Sequence, residues 1–467
     1  MFILCAALLI RLIGAWTWHQ AVLDSGRLFR LGDSHSYWIL AGELAHGRPY
    51  QYGSADARAF RAPLYPIALA PFTLFADERL GILCARMFGC ILGTLTVALI
   101  MRLASICAFE FPSIRNRERA VLAAGVSAAL YPAAIGMSIT VLSEAVFCPI
   151  MVGALICGLR SEGITYRSEA AATKSNVKWA IASGALSALA ILARPSWLLF
   201  IPFAGIITLL MFNKRRERCM RLVVMGLACA VVMSPWWVRN AILIGKFVPT
   251  TLQVGASLYD GLHAGASGGS DENMVFVDRF VAELRAEDRA AIEQASTSSS
   301  TAEAENTKSS AQPDGNNSPQ KPQATQLTQD LARTFEYRLN QRMSAAAWHW
   351  VLENPAGAAR LSLIKFSKTW SLWPTAGDFG STPVRIALTL SCLIVLIGAV
   401  WGSRKIVRRC ARLVTLLWLP AVYFTLLHMI FVGSIRYREP AVLVLTALAG
   451  VAAVRNTTES EQNSSES

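Results

Sequence analysis

Long apolar blocks separated by short polar stretches dominate this chain. An α-helix needs about 20 apolar residues to cross the hydrocarbon core of a bilayer. The pattern predicts an all-α, polytopic membrane protein of about ten transmembrane helices. We assign these spans to ten blocks, at 1–18, 84–103, 120–136, 144–159, 179–193, 195–212, 222–237, 384–401, 413–432 and 440–454.

One apolar run, 63–76, does not fit this series. It has 14 residues and contains Pro63, Pro66 and Pro71. A run of this length is too short to cross a bilayer unaided, and prolines interrupt helices. We therefore expect an interfacial or re-entrant piece.

Charge distribution tests that choice. If 63–76 does not cross, four linkers lie on one side and hold 17 Lys and Arg, whereas the facing segments 137–143 and 433–439 hold two. Basic residues concentrate in cytoplasmic linkers. We therefore predict a multi-pass protein of the plasma (inner) membrane with a cytoplasmic amino terminus. The four basic linkers are 104–119, 160–178, 213–221 and 402–412.

The spans divide the chain into parts with different composition. An amino-terminal transmembrane core would occupy 1–237, with a first extracytoplasmic loop at 19–83. A second extracytoplasmic segment, 238–383, contains a Ser-, Thr-, Gln- and Pro-rich insert at 296–326 that we expect to be disordered. Spans at 384–454 and a polar cytoplasmic tail at 455–467 complete the chain.

Composition excludes several other classes. The formal charge is +13, but the basic residues lie between apolar blocks, which favours a membrane topology over nucleic-acid binding. The ten cysteines avoid 240–383 and form no Cys-x-x-Cys pair, so we interpret them as apolar packing residues. His35 and His428 have no partner at metal-ligand spacing. We expect no cleavable signal peptide, because the first block lacks a small-residue cleavage site.

Charged residues recur at the outer ends of the predicted spans. Arginine forks match phosphate oxygens, and a nearby carboxylate can accept a proton or hold a metal ion. Alternatives exist for each residue: Asp33 as a helix cap, Glu144 as a helix start and the arginines as headgroup anchors. Their shared location on one side favours chemistry on a lipid-linked phosphorylated substrate. The residues in question are Asp33, Glu144, Arg194, Arg239, Arg436 and Arg438.

The order of short motifs resembles the GT-C superfamily of membrane glycosyltransferases, in particular the branch of aminoarabinose transferases and protein O-mannosyltransferases. The resemblance covers nearly the whole chain outside 296–326. The motifs are Asp33-Ser34-His35-Ser36-Tyr37, Arg61-Ala62-Pro63-Leu64-Tyr65-Pro66, Leu142-Ser143-Glu144, Arg194-Pro195, Pro235-Trp236 with Arg239-Asn240, and Arg436-Tyr437-Arg438.

The resemblance implies transfer of a sugar from a polyprenyl-phosphate carrier to a lipid, glycan or protein acceptor on the extracytoplasmic face. Asp33 matches the family's essential first-loop acid, and Glu144 matches the region of a second acid. The family often has two adjacent acids in the first loop, but here Ser34 follows Asp33, so a divalent metal ion stays an open possibility. From charge and side, we assign donor phosphate or substrate binding to Arg61, Tyr65, Arg194, Arg239, Arg436, Tyr437 and Arg438.

Two other functions remain as alternatives. A transporter or flippase of lipid-linked substrates usually carries ionisable groups within its spans. Here the predicted span interiors are almost free of charge, with Arg11 the main exception. A scaffold that uses the insert as a binding tail ranks last, because the insert lacks an obvious recognition motif.

Overall fold

The computed structural model describes residues 1–54, 56–164, 172–213, 215–271, 274–309, 323–374 and 381–454. Within these ranges the chain forms α-helices and short 3₁₀ helices, without β-strands. The predicted tail at 455–467 lies outside the described residues. The α-helices are α1 (Phe2–Asp24), α2 (Gly32–Ala45), α3 (Leu64–Leu69), α4 (Glu78–Cys107), α5 (Ile114–Leu130), α6 (Pro132–Ile139), α7 (Glu144–Ser161), α8 (Ala172–Ala193), α9 (Phe200–Met211), α10 (Arg215–Ile244), α11 (Val254–Gly261), α12 (Val275–Ser309), α13 (Gln323–Glu353), α14 (Pro355–Trp370), α15 (Thr382–Ile406), α16 (Ala411–Ile430) and α17 (Ile435–Ala452).

Each of the ten predicted spans falls on helix, and the chain is a multi-pass integral membrane protein. Among the described residues, seven helices are long and apolar enough to cross a membrane alone: α1, α4, α7, α8, α10, α15 and α16. The bent pair α5 and α6 raises this number to eight. The predicted span 195–212 is a 3₁₀ turn followed by the 12-residue α9, which is shorter than a span requires.

The last predicted span, α17, lies deep inside the bundle. α17 packs against α4, α5, α15 and α16, and most of its residues are buried. Two glycines allow the closest approaches. A Cβ at Gly402 would lie 1.9 Å from the carbonyl oxygen of Leu448, and one at Gly450 would lie 2.4 Å from that of Ala120. A side chain at either position would push α17 away from its neighbours.

The predicted span 120–136 is a broken helix, bent by 55° between α5 and α6. The break falls at Tyr131, because Pro132 offers no N–H and disfavours helical backbone in the preceding residue. Arg11 of α1 caps the freed end of α5: its guanidinium donates to the carbonyl oxygens of Ala128 at 3.2 Å and Ala129 at 3.1 Å. The buried arginine of the first span therefore completes the hydrogen bonds of a broken helix.

The proline-rich run 63–76 forms a short apolar helical unit, Leu64–Leu74, below spanning length. It packs against α2 and the start of α4. This agrees with its predicted exclusion from the set of spans.

The second long segment is mostly helical. In α13, an apolar stripe that includes Leu339, Met343 and Ala346 packs onto α11 and α12. The backbone of α12 is helical to Ser309, so the first part of the insert differs from the expected disorder. Ala and Glu between 302 and 305 favour helix. The middle of the insert, 310–322, lies outside the described residues.

Candidate functional site

Helix starts and loops converge at one end of the bundle. Asp33 lies in the first turn of α2, Glu144 is the first residue of α7, and Arg436 lies in the first turn of α17. Arg194 directly follows α8, and Arg61 precedes α3. Helix amino termini favour negative charge, which suits the two carboxylates. The fold thus places five charged residues from five parts of the sequence at one location.

Asp33 is held by two arginines. Arg61 Nη2 lies 2.6 Å from Asp33 Oδ1, and Arg436 Nη1 lies 2.9 Å from Asp33 Oδ2. Arg61 is itself oriented by Ser36 Oγ at 3.2 Å and by the side-chain oxygen of Gln253 at 2.8 Å. Both carboxylate oxygens of Asp33 are therefore engaged by guanidinium groups.

Glu144 is also paired with two arginines, but it is completely buried, with 0% exposure. Arg436 donates through Nε to Glu144 Oε1 at 2.6 Å and through Nη2 to Oε2 at 3.1 Å. Arg194 Nη1 lies 2.6 Å from the same Oε1. A buried carboxylate requires such partners, because an isolated buried charge is costly.

Arg436 consequently joins the two acids in one network. Its side chain is 30% exposed and that of Asp33 is 34% exposed, whereas Glu144 lies behind them without solvent contact. We call Arg61, Asp33, Arg436, Glu144 and Arg194 the arginine–carboxylate cluster. Three arginines face two carboxylates, so the cluster carries a formal net charge of +1. Its accessible surface is the Asp33–Arg436 pair.

The electrostatic state of Asp33 follows from these contacts. Burial raises the pKa of Asp33, but the adjacent Arg61 and Arg436 lower it more, so the net pKa lies well below the usual range. Asp33 is therefore ionised at any physiological pH. In this paired state it is a weak base.

Aromatic rings line the cluster on two sides. Tyr37 lies against the guanidinium of Arg61 at 5.1 Å, and its ring meets Tyr65 edge to face at 5.0 Å. On the other side, the ring of Tyr437 lies 5.5 Å from the Arg194 guanidinium and stacks on His428 at 4.1 Å. The two predicted substrate-binding tyrosines, Tyr65 and Tyr437, thus lie beside the cluster.

Two other candidates are not in the cluster. Arg239 donates to the carbonyl oxygens of Arg58 at 3.0 Å and Tyr50 at 3.4 Å, both in the first loop. Arg438 is buried on the other side of α17, where it pairs with Glu439 at 3.3 Å and donates to backbone carbonyls near the end of α14. In this structure both arginines support the backbone and make none of the cluster's ion pairs.

Sequence inspection misses several partners. Gln253 orients Arg61 but is uncharged and follows no recognisable spacing, and Ser36 belongs to the first-loop motif without a role assigned to it there. Sequence inspection also assigns no role to Arg86, which lies within the second predicted span. This arginine is buried and contacts His19 Nδ1 at 3.1 Å and the carbonyl oxygen of Leu28 at 3.4 Å. A buried charge inside a span is itself a signal of a constrained site.

The residues present do not fit a divalent metal ion. Among the described residues, no group of three or more His, Cys, Asp or Glu comes close enough to hold one. The side chain that lies between Asp33 and Glu144 is a guanidinium, and it occupies oxygens that a hard cation would need. Arg436 supplies the positive charge between the two acids.

A separate, largely apolar pocket lies between α7, α8, α9, α10 and α16. Trp197 and Phe200 line one part, and Glu162 and Arg221 line another. The cluster residues are not among those that line it. A small void lies beside Glu144 and reaches Arg11.

Comparison with known proteins finds similarity at the level of structure. No protein-family model and no curated protein matches this sequence. The fold is similar to that of the archaeal oligosaccharyltransferase AglB from Archaeoglobus fulgidus, solved in complex with an inhibitory peptide and a dolichol-phosphate. The TM-score is 0.51 at 13% identity, and the match covers 96% of this chain and 50% of that chain. This chain therefore spans half the length of that AglB chain.

Lower similarity relates the chain to two structures of ArnT from Cupriavidus metallidurans. The structure bound to undecaprenyl phosphate has a TM-score of 0.40 at 14% identity, covering 96% of this chain and 77% of that chain. The apo structure has a TM-score of 0.35 at 14% identity, covering 91% and 73%. The similarity to AglB concerns the fold, and it agrees with the predicted all-α, polytopic architecture.

Proposed function

We propose that this chain is a membrane glycosyltransferase that moves a sugar from a polyprenyl-phosphate carrier to a lipid, glycan or protein acceptor. The observation that carries the proposal is the guanidinium of Arg436, which joins Asp33 and Glu144 at one end of the bundle. A partly exposed carboxylate beside partly exposed arginines provides the two kinds of group that such a transfer needs. The GT-C-like fold of AglB supports the same reaction class.

The donor phosphate would bind Arg436 and Arg61. Both guanidinium groups already hold an anionic carboxylate at the accessible edge of the cluster, and a phosphate presents the same bidentate acceptor geometry. The net positive charge of the cluster favours an additional anion. Tyr437 lies against Arg194 and would contribute to the wall of this site, whereas Tyr65 is buried and packs against Tyr37.

Donor binding would change the role of Asp33. While both its oxygens are paired, Asp33 is too weak a base to take a proton from a hydroxyl. A phosphate that competes for Arg436 would release one carboxylate oxygen and raise the pKa of Asp33 toward its usual range. Asp33 would then accept a hydrogen bond from the acceptor, so that the base becomes available only when the donor is present.

The transfer is a single displacement at the anomeric carbon. The acceptor oxygen or nitrogen forms a bond to that carbon while the bond from carbon to the phosphate oxygen breaks. The acceptor proton passes to Asp33, and polyprenyl phosphate leaves with the bonding electron pair. Arg61 and Arg436 stabilise the charge that develops on the leaving phosphate. This sequence inverts the configuration at the anomeric carbon.

Glu144 has a different role from Asp33. Because it has no exposed surface, it contacts no substrate in this structure and acts as a positioning residue. It holds Arg436 through two bonds, and Arg194 offsets part of its charge. The buried half of the cluster thereby fixes the guanidinium that the exposed half uses.

We place the reaction on the extracytoplasmic face. In the topology predicted from the sequence, the four basic linkers, with their 17 Lys and Arg, lie on the side opposite the cluster, which suits a cytoplasmic side. An amino terminus in the cytoplasm follows, because α1 leads from its start toward the cluster end.

The experiment is a transfer assay in proteoliposomes. Purified full-length protein is mixed with a panel of polyprenyl-phosphate sugars and candidate acceptors, and products are identified by mass spectrometry. The proposal requires a covalent glycosyl product with released polyprenyl phosphate. Movement of the lipid-linked sugar across the bilayer without a covalent product supports the flippase hypothesis instead.

A further inference from the structure

A carboxylate of the second long segment reaches the first loop. Glu336, in α13, is 8% exposed and accepts hydrogen bonds at Oε2 from the backbone N–H groups of Arg58 at 2.8 Å and Ala59 at 2.9 Å. These two residues lie 278 and 277 positions away in the sequence. A single side chain therefore fixes two consecutive peptide groups of the first loop.

The same loop segment is held from other directions. Arg239 of α10 donates to the carbonyl oxygen of Arg58 at 3.0 Å, and the N–H of Leu252 donates to the carbonyl oxygen of Ala59 at 2.9 Å. Each of these hydrogen bonds is made to a backbone carbonyl oxygen of the loop. We call residues 58–61 the clamped segment.

Arg61 is the last residue of the clamped segment, and its guanidinium binds Asp33 at 2.6 Å. It lies two positions after Ala59, whose N–H Glu336 holds. The hydroxyl of Tyr50 also donates to the carbonyl oxygen of Arg61 at 3.1 Å. A shift of the clamped segment would consequently move the arginine that holds Asp33.

Glu336 carries a feature that a purely structural acceptor does not need. Its second oxygen, Oε1, is buried and has no hydrogen-bond partner among the residues that the structure describes. Leaving a buried charged group partly unsatisfied costs stability. The two N–H bonds therefore stabilise the ionised form of Glu336, whereas its buried environment destabilises it.

We propose that Glu336 is a positioning residue for the cluster. It holds the clamped segment through Arg58 and Ala59 and thereby sets Arg61 against Asp33. Neutral Glu336 holds the segment more firmly than ionised Glu336 does. The functional part of this inference rests on the proposed glycosyl transfer. The structural part, control of the clamped segment, does not.

The direction of the pH dependence follows from the environment of Glu336. Burial raises its pKa to about 7, while the two backbone N–H groups and the charges of Arg239 and Arg58 lower it. Tyr50 is a further titratable group that faces it. If opening of the segment exposes Glu336 to water, its pKa returns to the usual carboxyl range. The closed state then binds the proton more tightly, so raising the pH toward 7 favours opening.

The test is hydrogen exchange of the full-length protein, read at the Arg58 and Ala59 amides as protection factors corrected for intrinsic exchange. Protection in the wild type should fall by up to about 30-fold between pH 5 and pH 7 and then level off. In Glu336→Gln the amide oxygen keeps the two N–H bonds but cannot ionise, so protection should not change with pH. Glu336→Ala should lose protection at every pH.

The matched control is Glu353→Gln, because Glu353 lies on the same helix and is 60% exposed. The protection factors of Glu353→Gln should match those of the wild type at every pH. Equal pH profiles for wild type and Glu336→Gln, or full protection in Glu336→Ala, would overturn the proposal. These outcomes need no substrate, so they are independent of whether glycosyl transfer occurs.

If transfer is detected, the same variants test the link to the cluster. Glu336→Ala should lower transfer at least tenfold, and Glu336→Gln should restore it with a flatter pH profile. If the variants change hydrogen exchange at Arg58 and Ala59 but leave the transfer rate unchanged, the clamped segment does not affect the reaction. That result would contradict the positioning role.

Discussion

The guanidinium of Arg436 lies 2.9 Å from the carboxylate of Asp33, although 403 positions separate the two residues in the sequence. The same guanidinium holds Glu144 through two further bonds. One side chain at the start of the central helix α17 therefore connects an accessible acid with a buried one. This relationship makes Arg436 the most informative residue to change.

Replacing Arg436 with lysine should lower transfer by about 100-fold or more, because an ammonium group cannot reproduce a planar fork between two carboxylates. Arg436→Gln should lower it at least as much. The measurement is the initial rate of transfer in proteoliposomes. Arg48→Lys is the control, since Arg48 is 56% exposed and pairs with Glu43 away from the cluster. Near-normal transfer by Arg436→Lys would contradict a bidentate role.

Glu144→Gln should reduce stability more than Asp33→Asn. Removing one partner of a fully buried charge pair costs about 3–5 kcal/mol, because the remaining charge is left uncompensated. Asp33 is partly exposed, so water can replace its contacts. Apparent Tm values in one detergent and at one scan rate provide the comparison. A larger decrease in Tm for Asp33→Asn than for Glu144→Gln would contradict the assignment of Glu144 as the buried anchor.

The contribution of Asp33 to stability should persist in mild acid. Its pKa in the folded protein is depressed, so the contribution is present above the usual carboxyl pKa and is lost as the pH falls through the lower, folded value. The difference in Tm between wild type and Asp33→Asn should therefore stay constant from pH 8 to pH 5 and shrink only below about pH 4. A difference that already shrinks between pH 7 and pH 5 would show that the ion pairs do not hold Asp33 ionised.

Chelation of divalent ions should leave transfer unchanged. Arg436 occupies the position between the two acids, and the described part of the chain offers no three-ligand site of His, Cys, Asp or Glu. The assay is transfer before and after dialysis against EDTA, with Mg²⁺ and Mn²⁺ added back separately. Loss of transfer that one of these ions restores would contradict this prediction.

Much of the fold is predictable from the sequence because a bilayer imposes a simple requirement on length and polarity. The ten apolar blocks all fall on helix, and the proline-rich run stays below spanning length, as expected. The break at Tyr131 is a feature that apolar block length does not reveal, although Pro132 within the block is a sufficient physical signal.

The cluster is only partly predictable. Glu144, Arg194 and Arg436 share a location because each lies at the outer end of a predicted span, and Asp33 lies in the outer loop that follows the first span. Arg438 meets the same criterion, but residues two apart on a helix point about 200° away from each other. If Arg436 faces the cluster, Arg438 must face elsewhere, and it pairs with Glu439. Helical periodicity is therefore enough to separate the two arginines.

Long-range partners are beyond the reach of sequence patterns. Gln253 lies 192 positions from the arginine that it orients, and Glu336 lies on an amphipathic helix whose apolar stripe gives no reason to single it out. Burial decides the role of such residues, and burial depends on how α11 and α13 pack against the first loop. The complete burial of Glu144 belongs to the same class, since a carboxylate at a helix start is usually solvated.

The proposed role of Asp33 is tested most directly by the rate of glycosyl transfer of the Asp33→Asn variant in proteoliposomes. Asparagine keeps the size of the side chain but removes its charge and its capacity to accept a proton. Asp24→Asn is the matched control, because Asp24 is an exposed acid at the end of α1. We expect Asp33→Asn to lower transfer by at least about 100-fold while Asp24→Asn retains it. Undiminished transfer by folded Asp33→Asn would contradict the proposed site.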